Sequence, residues 1–157
     1  MRRVSAVTAV LALCAAVLTG CGLSIPTDPD GTLDRVTGDV LRVGASPSGE
    51  LVVVSSTDAV SGPLPDLVTG FAESRDARVV WTVGSEEDLV DALETGELDL
   101  AIGGMTEATP WTDRVSVTRG FSGIPASGGH PVVILLPLGE NALQSALETY
   151  LDGEVGP

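Results

Sequence analysis

Few side chains in this sequence are of the types that perform acid–base, nucleophilic or metal chemistry. His130 is the single histidine and stands beside Pro131 in a glycine-rich stretch, where exposure to solvent is expected rather than a catalytic setting. Serines and aspartates are plentiful, but none lies in a nucleophile elbow or another catalytic motif. The acidic run at residues 86–88 lacks the spacing of a calcium-binding loop. The sequence therefore predicts a protein that is not an enzyme, with no catalytic residue, no metal site and no cofactor.

Cys21 is the residue with the most specific predicted chemistry. Two arginines precede an apolar run at residues 7–18, which is long enough for the core of a signal peptide and short for a membrane span. The next residues, LTGC at 18–21, resemble the bacterial lipoprotein box, in which a cysteine is lipidated and the chain is cleaved in front of it. This pattern predicts removal of a signal peptide at residues 1–20 and lipid attachment at Cys21. An ordinary secretory signal and an uncleaved anchor are the alternatives.

The composition limits the partners of the mature chain. Cys14 lies in the discarded segment and Cys21 would carry lipid, so no thiol remains for a disulfide, a zinc site or a nucleophile. The remaining 137 residues suit one domain, and they contain six arginines, no lysine and all 22 acidic residues. Such a negative charge disfavours binding to nucleic acid or to an anionic membrane surface. We therefore expect an extracytoplasmic protein that is anchored to the cell membrane by the lipid on Cys21.

The other candidate residues depend on the elements that carry them. Residues 21–39 contain the lipidated cysteine and a stretch punctuated by proline and glycine, which predicts a flexible linker. Residues 40–152 are predicted to form a single lobe, and residues 153–157 a short tail. Apolar runs and alternation predict strands, in chain order, at residues 41–45, 51–54, 79–83, 98–102 and 132–136.

Amphipathic helices are predicted between these strands. Pro65 suits the first turn of a helix that ends near Ser74. Ser85, followed by three acidic residues, predicts a capped helix that Gly96 ends. The inner face of a final helix is marked by Leu143, Leu147, Tyr150 and Leu151. This alternation predicts an α/β fold in which helices flank a mostly parallel sheet.

Several of these segments resemble extracellular solute-binding proteins of family 3, the receptor components of ABC importers that often carry amino acids. The most telling segment is LETGELDLAIGGMT at residues 93–106, which is similar to a helix end, a strand and a small-residue ligand loop of that family. Residues 40–44, 65–72 and 136–143 also resemble family segments. The resemblance implies a three-layer lobe like lobe 1 of a type 2 periplasmic binding protein.

The sequence departs from this family at the features that usually enclose and select the ligand. A complete receptor has two lobes that enclose the ligand, but only about a dozen residues separate Phe121 from Val132. The family arginine that pairs with a substrate carboxylate falls, without gaps, on Trp111, and whether the later Arg114 replaces it is open. Residues 48–50, SGE, stand where many relatives present an aromatic ring. The resemblance therefore implies a single lobe that lacks both selectivity features.

Candidate ligand-binding residues follow from where ligands bind in open α/β sheets, outside the carboxyl ends of the strands. Ser46 follows the first predicted strand, and Gly103, Gly104 and Thr106 follow a later one. Trp111 is a candidate for stacking on a ligand. The alternatives are a glycine turn without a ligand and packing of Trp111 within its own domain.

Three functional hypotheses remain open. The first is a solute-binding lipoprotein whose partners are a small polar solute and an ABC permease. The second is an interaction or sensory lipoprotein that uses the lobe to dock a membrane protein, since a fold does not fix a function. The third and least supported is a dehydratase, which some proteins of this fold are, with Glu50 or Glu107 as the residues to replace.

Overall fold

The computed structural model describes residues 30–56 and 59–156. The predicted signal peptide, the predicted lipidation site Cys21 and the predicted linker up to residue 29 lie outside these ranges. None of the helices in the described ranges has the length and hydropathy needed to span a bilayer. In chain order the elements are α1 (Thr32–Val36), β1 (Val40–Ala45), β2 (Val53–Val54), β3 (Val60–Ser61), α2 (Pro63–Glu73), β4 (Arg78–Val83), α3 (Glu86–Glu94), β5 (Leu100–Ile102), β6 (Ser116–Val117), β7 (Leu135–Leu136) and α4 (Asn141–Val155).

Five of the strands form a central sheet in the order β4-β1-β5-β7-β6. β1 pairs in parallel with both β4 and β5, whereas β7 is antiparallel to β5 and to β6. Four of the five strands therefore run in one direction, which confirms the predicted mostly parallel sheet. β2 and β3 pair with each other in a separate hairpin, so the apolar run at 51–54 does not extend the main sheet.

Helices cover both faces of the sheet, as the alternation predicted. Val43 and Ala45 point to the face covered by α1, α2 and α4, where the main core lies. Gly44, between them, points to the opposite face, where an added Cβ would lie 2.7 Å from the Leu89 side chain. That second face packs against α3 in a smaller core. The period of two along β1 therefore assigns successive residues to the two cores of a three-layer lobe.

Local sequence signals set the helix ends. Pro63 and Pro65 occupy the first turn of α2, where a missing amide hydrogen costs nothing, so this helix begins two residues before the predicted start. The Ser85 hydroxyl caps α3 by accepting a hydrogen bond from the Asp88 amide at 3.2 Å. Gly96 adopts a φ of 71° just after α3, as a helix-terminating glycine does.

Two predicted boundaries are wrong. α1 lies inside the predicted linker at 21–39, because Thr32 and Val36 are buried and the helix packs against β1 and α4. α4 continues to Val155, so the predicted tail at 153–157 is largely helical. Short helices that are held by packing carry little signal of their own in the sequence.

The predicted strand at 132–136 is buried along its whole length, but only its last two residues join the main sheet. Val132 pairs with Phe121 in an isolated antiparallel bridge. The Val133 amide donates to the Met105 carbonyl at 3.0 Å. The segment therefore changes partner along its length, which breaks the ladder and closes a loop over residues 122–131.

Candidate ligand-binding site

The carboxyl ends of β1 and β5 lie side by side in the sheet. The Ser46 amide donates a hydrogen bond to the Ile102 carbonyl at 2.9 Å, so the chains leaving the two strands start in contact. Ser46 and Gly103 are therefore neighbours at the two strand ends. This is the edge at which open α/β sheets bind ligands.

Gly103 and Gly104 allow a close approach between the two strand ends. A Cβ at Gly104 would lie 2.5 Å from the Ser48 hydroxyl oxygen, and one at Gly103 would lie 2.8 Å from the Met105 sulfur. Neither glycine has a positive φ, so a left-handed turn does not explain them. Their small size brings the loop after β1 against the loop after β5 and forms the floor between them.

A tight hairpin after β1 forms one wall of this edge. The Ser48 amide donates to the Val52 carbonyl at 2.9 Å, and the Val52 amide donates back to the Ser48 carbonyl at 3.1 Å. Gly49 takes a φ of 52° within the turn, a conformation that favours glycine. Glu50 is consequently presented at the exposed tip.

The opposite wall comes from residues 122–131, the loop between Phe121 and Val132. The Ser127 hydroxyl accepts from the Gly129 amide at 3.2 Å, and the His130 amide donates to the Ser127 carbonyl at 3.2 Å. Ala126 has a φ of 64°, which is uncommon for a residue with a Cβ. Internal hydrogen bonds therefore hold this loop in a defined shape.

Together these segments enclose an open cleft of about 330 Å³. Its lining combines hydroxyl groups, one carboxylate, one imidazole and a small apolar floor; the residues are Ser48, Gly49, Glu50, Leu51, Gly104, Thr106, Ala126, Ser127, His130 and Val132. Thr106 is exposed on this lining, and its carbonyl accepts from the Thr109 amide at 2.9 Å. The cleft can hydrogen-bond a small polar ligand and supplies one negative charge.

Trp111 lies away from the cleft, which its ring does not line. The ring packs against the smaller core beside α3, and its Nε1 is buried without a hydrogen-bond partner in the described part of the chain. The Arg114 guanidinium stacks over the ring at 5.7 Å from its centre. The structure therefore places Trp111 in a packing position, separate from Ser46, Gly104 and Thr106.

Arg114 faces α3 instead of the cleft. Its guanidinium forms ion pairs with Asp91, at 2.6 Å, and with Glu94. These hydrogen bonds raise the pKa of Arg114, and the bond from Arg114 lowers the pKa of Glu94. Arg114 therefore does not line the cleft, and both of these carboxylates on α3 bind it.

A second cavity, of about 490 Å³, lies at the opposite, amino-terminal edge of the sheet and was not foreseen from the sequence. Asp99, only 1% exposed, binds both Arg35 and Arg42 there. It also accepts from the Arg42 amide at 2.8 Å, and Arg42 donates to the Gly96 carbonyl at 2.7 Å. The available signal was the GELD motif at residues 96–99, whose aspartate precedes β5. Because the carboxylate already has these partners, we interpret this cluster as a structural ion-pair network that joins α1, β1 and β5.

Comparison with known proteins gives likenesses in fold. No family model matches the chain. The arginine-bound form of domain 1 from TmArgBP superposes with a TM-score of 0.64 at 20% identity, over 79% of this chain and 98% of that one, and a point mutant of the same domain gives 0.67 at 19% identity, over 78% and 97%. An ancestral arginine-binding protein bound to arginine gives 0.59 at 14% identity, over 73% and 91%. At these identities the likeness shows the fold alone, which is that of domain 1 of TmArgBP.

One sequence likeness is to regulators. The HTH-type transcriptional activator IlvY of Salmonella typhimurium is 38% identical over 68 residues, which are 43% of this chain and 23% of IlvY. IlvY of Escherichia coli, described as a transcriptional regulator, matches to the same extent. The chain thus matches less than a quarter of the length of these relatives.

Proposed function

We propose that this chain is an extracytoplasmic solute-binding lobe, attached to the cell membrane through lipid on Cys21, that holds a small polar solute in the cleft at the carboxyl ends of β1 and β5. The proposal includes a signal peptide at residues 1–20 and delivery of the solute to a membrane partner such as an ABC permease. Binding, without a chemical reaction, is the activity we propose.

The observation that carries this proposal is the position of the cleft. It lies where two adjacent parallel strands end, and its lining includes Gly104 and Thr106, which the sequence had singled out for ligand contact. The fold likeness adds weight because the TmArgBP structure is an arginine-bound form of domain 1 alone. In that protein domain 1 holds arginine, which supports the proposal that one lobe of this fold can hold a ligand.

A single lobe should nevertheless bind weakly. Ligand sites usually bury most of the ligand surface, whereas this cleft has a floor and two walls and is open on its remaining side. The loop at 122–131 replaces part of the missing enclosure. We expect dissociation constants of roughly 0.1–1 mM, which correspond to about 4–5 kcal/mol of binding free energy.

Calorimetric titration of the purified full-length chain in detergent, against amino acids and small polar amines, tests the solute-binding proposal. The matched variants are Gly104→Val, which places a side chain against Ser48 in the cleft, and Gly153→Val, at a helix position where a Cβ meets no atom within 4 Å. We expect Gly104→Val to weaken binding more than tenfold and Gly153→Val to leave it unchanged. Absence of heat for every solute at millimolar concentration would reject the proposal.

Attachment through Cys21 is tested separately by fractionation. The wild-type chain should label with a radioactive fatty acid and remain with the membrane after a high-salt wash, since its charge disfavours electrostatic adhesion. Cys21→Ser should abolish the label and release the chain, or leave it as an unprocessed precursor. Cys14→Ser, in the predicted signal peptide, is the matched control and should retain the label.

A second candidate function is an interaction or sensory lipoprotein whose lobe docks a membrane protein. The partial likeness to the IlvY proteins supports only the sensory part of this hypothesis, because those proteins are described as a transcriptional activator and a transcriptional regulator. Cross-linking in intact cells, followed by purification of the lipidated chain, should recover one membrane protein reproducibly under this hypothesis. If the membrane protein is recovered only when solute is added, the chain would have both functions. If no membrane protein is recovered, the second function is contradicted.

A further inference from the structure

Positive charge in the described part of the chain is kept away from the cleft. The chain has no lysine, and the described ranges contain six arginines. Four of them lie on α1, in the first half of β1, or at or just before the start of β4. These positions are near the amino-terminal edge of the sheet, and the residues are Arg35, Arg42, Arg75 and Arg78. The cleft lies at the opposite edge. None of these four arginines lines the cleft.

The other two arginines bind acidic residues on helices. Arg114 pairs with Asp91 and Glu94 on α3. Arg119 pairs with Asp152 on α4 and stacks over the Phe121 ring at 4.8 Å from its centre. Among the described residues, then, no arginine lines the cleft and each of these two already has acidic partners. A ligand carboxylate would find no guanidinium fork in this cleft.

The cleft offers hydrogen-bond acceptors around one carboxylate. Glu50 lies at the exposed tip of the first wall, and Ser48 and Thr106 also line the cleft. The described lining residues include no Phe, Tyr or Trp ring, so a cation–π cage for a quaternary ammonium group is missing. The hydroxyl groups and the His130 imidazole can hydrogen-bond any polar ligand, and the Glu50 carboxylate can in addition pair with a cation that carries N–H donors.

We propose that the cleft selects solutes carrying a primary ammonium or guanidinium group, with the Glu50 carboxylate as the counter-charge, and that a carboxylate on the solute is unnecessary. This inference rests on the proposed solute-binding function. It goes beyond that function because it assigns the ligand class and the residue that sets it. The formal charge of −14 for the whole chain favours the approach of a cation in addition.

Calorimetric titration with four probes tests the inference: arginine, agmatine, pentanoate and choline. Agmatine keeps the guanidinium group and lacks the carboxylate, pentanoate has only the carboxylate, and choline is a quaternary ammonium. We expect agmatine to bind at least as tightly as arginine, and pentanoate and choline to give no measurable heat. Because Glu50 would form a charge-assisted hydrogen bond with the ligand at a partly exposed site, we expect Glu50→Gln to weaken agmatine binding roughly tenfold.

Glu87→Gln is the matched control, since Glu87 is an exposed acid in the first turn of α3, outside the cleft lining, and its loss changes the net charge equally. It should leave agmatine binding unchanged. If arginine binds and agmatine does not, the inference is overturned while solute binding stands. Equal losses in the two variants would also overturn it, because net charge would then explain the effect. Failure of every probe and of the wider solute panel would reject the proposed function itself.

Discussion

Replacement of Asp99 by asparagine should reveal how much of the lobe's stability depends on the cluster at the amino-terminal edge. Asp99 is 1% exposed, and its carboxylate binds guanidinium groups from α1 and β1 in addition to the Arg42 amide. The asparagine side chain would keep an oxygen for that amide and would lose the charge. Both guanidinium groups would then remain next to a neutral side chain.

The magnitude follows from the exposure of the two partners. Removal of one partner from a fully buried ion pair costs about 3–5 kcal/mol, because the other charge is left without compensation. Here the side chains of Arg35 and Arg42 are 40% and 35% exposed, so water solvates them once the carboxylate is gone. We therefore expect Asp99→Asn to lower the free energy of unfolding by about 2 kcal/mol. For a lobe of this size that corresponds to a fall in Tm of about 8 °C.

Urea denaturation followed by circular dichroism measures this change, with Asp152→Asn as the control. Asp152 also pairs with an arginine, Arg119, but their side chains are 38% and 42% exposed, and such surface pairs contribute less than about 1 kcal/mol. Both variants lose one negative charge, so a global charge effect would act on them equally. If Asp99→Asn lowers the free energy of unfolding no more than Asp152→Asn does, the assignment of this cluster as a structural ion-pair network is refuted.

Three further predictions concern stability. Ser85→Ala removes the cap that accepts from the Asp88 amide and should cost about 1 kcal/mol in urea denaturation, whereas Ser85→Thr should cost less; equal losses would argue against the cap. Gly123→Ala should cost about 2 kcal/mol by the same measurement, since a Cβ there would lie 2.1 Å from the Val155 carbonyl oxygen, and an unchanged midpoint would contradict that contact. Burial raises the pKa of Tyr150, so the folded chain holds the phenol proton more tightly than the unfolded chain does. The contribution of this group to the free energy of unfolding is therefore present below about pH 10 and is lost as the pH rises further. Tyr150→Phe should therefore lose less stability than the wild-type chain between pH 9 and pH 11, and parallel losses would contradict this.

The parts of the fold that the sequence predicted are those with local causes. Ser85 and Gly96 mark the ends of α3 because capping and a left-handed termination need particular residues at particular places. The alternation through Val43 and Ala45 marks a strand because each face of β1 meets a different core. The position of the cleft followed from these strands, since a parallel pair brings its two carboxyl ends together.

The parts that sequence reasoning missed depend on contacts between distant residues. α1 has five residues and is held by packing against β1 and α4, so proline and glycine nearby suggested a linker instead. Trp111 and Arg114 fell near the position of a family ligand contact, but Trp111 packs against the smaller core and Arg114 pairs with the acids of α3, Asp91 and Glu94. Spacing along the chain predicts which residues are close to a site, and it does not predict which partner a long side chain reaches.

The loop at 122–131 connects the fold to the proposed function. In a two-lobed receptor a second lobe would supply the far wall of the site, whereas here ten residues supply it, and Ala126 adopts a left-handed φ among the lining residues. Because left-handed backbone is unfavourable for alanine and better tolerated by glycine, Ala126→Gly relieves this conformation while it increases the freedom of the unfolded loop. The two effects oppose each other in stability, and the loss of the Cβ also gives the folded wall more backbone freedom. If the wall contributes to binding, this variant should weaken binding of an ammonium or guanidinium solute severalfold with little change in Tm, and unchanged affinity would show that the β1 and β5 loops hold the solute without it.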